Sequence, residues 1–165
     1  MVDESLSPRA EPPYLLAALI CDDTLEEKDG RLSVLRLTSE VKVEVEGLKP
    51  PAKMPPIPIR VTVLMSFNAG GKPGSYEVQL NVIDPGGTER PGPIIPMDLP
   101  HDHFTMNLIA RIQLQAKEVG LYWVAVLLNG REVTRTPLTV QYVSKATEQQ
   151  KHGSSEEEDS PRATH

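Results

Sequence analysis

His101-Asp102-His103 is the one local cluster of metal-ligand residue types in the chain. Alternate residues of an extended strand share a face, so two histidines at this spacing could hold one metal ion. A third ligand would be needed, and the remaining histidines, His152 and His165, lie near the C-terminus. The segment also follows Pro100, where a polar loop edge is the plainer reading. The sequence therefore predicts no resident metal and no cofactor, with His101 and His103 as the candidate ligands should one bind.

Asp22, Asp23, Glu26, Glu27 and Asp29 form a second group. Calcium takes oxygen ligands, and C2-like sandwiches gather them at loop ends, but the spacing does not match an EF-hand loop. A solvated hairpin tip is the plainer reading. Gly70-Gly71-Lys72-Pro73-Gly74 has the composition of a phosphate loop. It lacks a Ser or Thr after Lys72, and Pro73 blocks a following helix, so it reads as a hairpin connection. The chain has no Gly-x-Ser-x-Gly elbow and no Cys/His pair with a third member. The single cysteine, Cys21, excludes an intrachain disulfide and sits in an apolar run. Asp22 and Asp23 follow it, and neighbouring acids raise a thiol pKa, so it reads as a small buried residue. Together these residues predict a non-enzyme.

The elements that would carry a site are strands. Sixteen prolines and eleven glycines in 165 residues imply many turns and few long helices. Aromatic content is only 4%, so the core must be mostly aliphatic. Net charge is −6, with acidic ends and a nearly neutral middle. That distribution gives no electrostatic footprint for nucleic acid or an anionic membrane. The acidic N-terminus lacks the basic region of a signal peptide, and the run Tyr14 to Cys21 is shorter than the ~20 residues of a membrane helix. A cytoplasmic location is expected.

Residues 1–13 read as a flexible lead, 14–143 as one β-sandwich domain, and 144–165 as a disordered acidic tail. Within the domain, Tyr14–Asp22 and Leu32–Leu37 flank Asp29-Gly30, a type I′ hairpin signal. Val41–Val45 alternates with charged residues. Leu48–Pro58 holds five prolines and reads as a loop. Ile57–Phe67, Ser75–Ile83 and Phe104–Leu114 alternate apolar and polar residues. Glu89–His103 is punctuated by proline, with a short edge strand at Ile94–Leu99. Gly120–Leu128, Asn129-Gly130 and the run to Tyr142 read as a closing hairpin.

Glu118-Val119-Gly120-Leu121-Tyr122-Trp123-Val124 resembles the acid-x-Gly-x-Tyr-x-apolar pattern of immunoglobulin-like domains. The resemblance implies a corner tyrosine at Tyr122, whose hydroxyl bonds back to the backbone. Val124 stands where antibody domains have a cysteine. The expected fold is an all-β antiparallel two-sheet sandwich of immunoglobulin-like type, with a jelly-roll or C2-like sandwich as the alternative. A wider resemblance rests on Leu19-Ile20-Cys21-Asp22, Glu27-Lys28-Asp29-Gly30 and Asp84-Pro85-Gly86-Gly87. These runs are similar to a family of uncharacterised bacterial proteins known as a domain of unknown function, which implies a small bacterial sandwich and no activity.

If Tyr122 faces inward, Leu121, Trp123 and Leu127 face outward. An outer face with Trp and Leu suggests an interface, although another strand or loop could cover it. The sequence therefore predicts a binding or accessory module for another protein, with homo-oligomers possible and with neither nucleic acid nor membrane as partner. The alternatives are a small-ligand or carbohydrate-binding sandwich and a metal-dependent enzyme subunit. In the last strand, Leu138, Val140 and Tyr142 run in the opposite phase from Val133. That phase change predicts a β-bulge near Arg135–Pro137 on an edge strand.

Overall fold

The alternating segments become nine strands in the computed structural model, which describes residues 11–45 and 55–144. They are β1 (Tyr14–Glu26), β2 (Leu32–Leu37), β3 (Glu40–Val45), β4 (Ile57–Asn68) and β5 (Gly74–Ile83), then β6 (Glu89–Leu99), β7 (Thr105–Ala116), β8 (Gly120–Leu128) and β9 (Arg131–Ser144). Most of the flexible lead, of the acidic tail and of the proline loop falls at 1–10, 145–165 and 46–54, outside the described residues, although Pro13 is buried and Ser144 ends β9.

The strands form two packed sheets, one of four in the order β2-β1-β4-β7 and one of five in the order β3-β9-β8-β5-β6. The expected all-β sandwich is therefore present. Its core is aliphatic, as the low aromatic content requires. Val61, Val63, Met65 and Phe67 of β4 meet Val78 and Leu80 of β5 and Tyr122, Val124 and Val126 of β8. On the other side of β4, Thr136 Oγ1 of β9 donates to the Ala18 carbonyl of β1 at 3.3 Å, bonding one sheet to the other.

One pairing departs from the antiparallel expectation: β3 runs parallel to β9 from Glu40↔Thr139 to Val45↔Ser144. After β2 the chain crosses from the four-stranded sheet to the five-stranded one. Thr38 N donates to Ile20 O in the first sheet, and Thr139 N of the second donates to Ser39 O. The crossing delivers β3 to the far end of β9, so only the first half of β9 is an edge.

The bulge is real but lies earlier than Arg135–Pro137. Leu127 faces Glu132 and Val126 faces Thr134, which leaves Val133 as the extra residue. Val124 consequently faces Thr136, and Arg135 faces Ala125 on the outer side. Leu138 and Val140 are buried and Tyr142 is half-buried, as the phase change requires. The two hairpin signals also differ. Asn129 and Gly130 both have positive φ, 48° and 75°, as a type I′ turn needs. At the first hairpin Gly30 has φ 80° but Asp29 is not among the positive-φ residues. Glu27 N donates to Arg31 O, and Gly30 N donates to Glu27 O. That pattern is a three-residue loop ending in a left-handed glycine, not type I′.

Candidate functional site

The residues with chemical potential are dispersed. His101, Asp102 and His103 form an exposed turn between β6 and β7, so strand alternation does not bring the histidines to one face. The His101 ring packs edge-on against Phe104 instead, with centroids 5.2 Å apart. No group of three metal-ligating side chains occurs among the described residues. The three aspartates of the acidic group are each paired separately. Asp22 pairs with Arg36 at 2.7 Å, Asp23 with Arg111 at 3.2 Å and Asp29 with Arg31 at 3.4 Å. The Thr24 amide and Arg111 hold the Asp23 carboxyl below its ordinary range. Gly70-Gly71-Lys72 is the β4–β5 turn, with Lys72 N donating to Ala69 O. Cys21 is fully buried, and burial, then Asp23 and Asp22, push its thiol up, away from the reactive thiolate.

The outer face of β8 is less apolar than its own sequence suggests, because its neighbours are polar. Leu121 is exposed at 41%, while Trp123 and Leu127 are half-buried. Trp123 stands between Ile83 of β5 and Pro137 of β9. Ala125 stands between Asn81 and Arg135, and Leu127 between Gln79 and Glu132. Asn81 is buried there and its Nδ2 donates to Glu89 at 2.6 Å. The face is thus one apolar row flanked by polar rows.

A larger opening lies at the side of the sandwich. Packing of β1 on β9 sets the alignment of the sheets. Counting outward from that contact, β4 lies over β8 and β7 over β5. Among the described residues Met97 and Leu99 near the end of β6 are buried in the core, whereas no strand lies over its first half. A cleft of about 480 Å3 opens there, lined by Leu80 and Val82 of β5, Arg90 to Pro93 and Ile95 of β6, Ala110 to Gln115 of β7, and Tyr122. The inward side chains Ala110 and Ile112 of β7, which line the cleft, are only half-buried.

The edges differ in how they are guarded. Strand β2 has six residues and carries Arg36 at φ 50°. Strand β3 has six residues and alternates Glu40, Lys42 and Glu44. The first half of β9 has its bulge and Pro137. Strand β6 is longer than the sequence predicts, because Pro91, Pro93 and Pro96 are tolerated on an edge, and it bulges opposite Leu80. Strand β7 has twelve residues in unbroken register with β4, without proline or glycine, and its one charge is Arg111. Bulges, prolines and charges are how proteins blunt edges, and β7 has almost none.

Tyr122 forms the floor of the cleft. Its hydroxyl donates to the Glu118 carbonyl at 3.0 Å, the bond that the corner motif predicts. Gly120 allows the approach, with φ 139° and a position where an added Cβ would stand only 3.0 Å from Pro85. Beside it, burial and then Tyr122 push the Tyr142 phenol up.

No curated protein matches the chain. A solved structure of Pseudomonas fluorescens alkylpurine DNA glycosylase AlkC, bound to DNA containing an abasic site analogue, has 9% identity and a TM-score of 0.43. The similarity covers 62% of this chain and 27% of that one, so the chain spans about a quarter of its length. A family model, described as a family of unknown function, matches residues 16–141. That match covers most of the sandwich, from β1 to β9, and the chain therefore belongs to the DUF6941 family.

Proposed function

We propose that the chain is a non-enzymatic binding module for another protein, and that its site is the cleft between β6 and β7 rather than the face of Trp123. The observation that carries this reading is the unmatched fifth strand. Among the described residues the first half of β6, Arg90 to Ile95, overhangs the four-stranded sheet, and the apolar cleft beneath it adjoins an unguarded edge. Ordinary sandwiches cover such surface, because exposed apolar area beside an open edge invites association. We read the sandwich as immunoglobulin-like. In chain order β1, β4 and β7 take the places of strands A, B and E, and β5, β6, β8 and β9 those of C, C′, F and G. The strand without a counterpart is D, which would lie beside β7.

Capture experiments from cells that make the protein test this. The full chain and a Leu121→Asp variant should retain the same partner, and Ala110→Trp, which fills the cleft, should lose it. Loss on Leu121→Asp with retention on Ala110→Trp would return the site to the Trp123 face. A small-ligand reading is favoured by the cleft volume, which falls in the ~300–1,000 Å3 range of ligand pockets. A small molecule released from the purified protein in native mass spectrometry, and absent from Ala110→Trp, would select it.

A further inference from the structure

We infer that the occupant of this cleft is a single extended segment of a partner polypeptide, hydrogen-bonded as an added strand along β7; the inference rests on the cleft reading above. Three features argue for a polypeptide strand. Among the described residues nothing pairs with the outer edge of β7, which offers a row of backbone donors and acceptors that only another backbone matches along its length. The register of β7 with β4 is regular from Thr105 to Ala116, so that row is not interrupted by a bulge. Beside Ala110 to Gln115 an added strand would also lie over the first half of β6 and match the two sheets strand for strand there.

The overhang decides what kind of strand fits. A second copy pairing β7 to β7 about a twofold axis would carry its own five-stranded sheet on the same side. Its β5 would then fall where β6 already lies. The same clash meets any folded sheet edge backed by a second sheet. A lone segment has nothing behind it and slides beneath β6. Side-chain preference follows from the two faces of β7. Inward residues of the segment lie beside Ala110 and Ile112 and meet Ile95, so they must be aliphatic. Ala110 is the small position between Leu108 and Ile112, and the largest inward side chain belongs next to it. Outward residues lie beside Ile109, Arg111 and Gln113 and can be polar.

Random peptides of 12 residues, the length of β7, displayed on phage and selected on the full chain, test the inference. Selected sequences should alternate aliphatic and polar residues. A synthetic selected peptide should slow exchange of the outward β7 amides by about tenfold or more. Methylating the peptide's backbone nitrogens that face β7 should weaken binding by about tenfold or more, and methylating the alternate ones should not. Ala110→Trp should abolish binding while the chain stays monomeric in sedimentation. Binding that Ala110→Trp abolishes but backbone methylation leaves unchanged would overturn the added strand and keep the cleft. Binding indifferent to both, a failure to select any peptide, or a dimer held through β7 would overturn the inference itself.

Discussion

Tyr122→Ala is expected to lower stability by about 3–5 kcal/mol, and Tyr122→Phe by about 1–3 kcal/mol. The difference separates packing from hydrogen bonding. The ring is fully buried between the sheets, and its removal enlarges the cleft that it lines with Leu80 and Leu114. Phenylalanine keeps the ring but strands the Glu118 carbonyl, which turns the chain into β8. Chemical denaturation of both variants checks this. Equal midpoints for Tyr122→Phe and the parent chain would mean that the corner bond contributes nothing net.

Gly92→Ala is expected to cost about 1–3 kcal/mol, as an overpacked site does, and to disturb the cleft as well. An added Cβ would stand 2.5 Å from the Leu80 carbonyl oxygen, which is backbone and cannot rotate away. Gly92 lies in the β6 bulge, where Gln79 Nε2 donates to its carbonyl at 2.7 Å. Relief requires β6 to move off β5, and β6 is the roof of the cleft. A lowered melting temperature with an unchanged m-value is the expected result; an unchanged melting temperature would mean that the bulge yields freely.

The corner tyrosine was legible because its motif is local: Glu118, Gly120 and Tyr122 lie within one turn of chain. Strands β4, β5 and β7 were legible because alternation records burial on one face. The position of the bulge was not, because Glu132, Thr134, Arg135 and Thr136 are polar and give no phase between Val133 and Leu138. The parallel partner of β9 was hidden too, since a pairing between strands so distant in sequence, Glu40 with Thr139, leaves no mark in either strand. Strand β6 was shortened because its prolines read as loop, although an edge tolerates them. The cleft was the least legible feature. Leu114 and Ala110 alternate alike, and only the sheet order exposes one more than the other. Conversely, Trp123 suggested an apolar face because Asn81 is distant in sequence and Arg135 reaches the outer side only through the bulge at Val133.

The measurement that bears most directly on an open β7 edge is residue-resolved amide exchange in the isolated full chain. An antiparallel edge strand points alternate N–H groups at its neighbour and the others outward. From Thr105 to Ala116 every second amide should be protected by β4, and the ones between should exchange like solvent-facing amides. Uniform protection along β7 would show that the edge is already paired and would contradict the account.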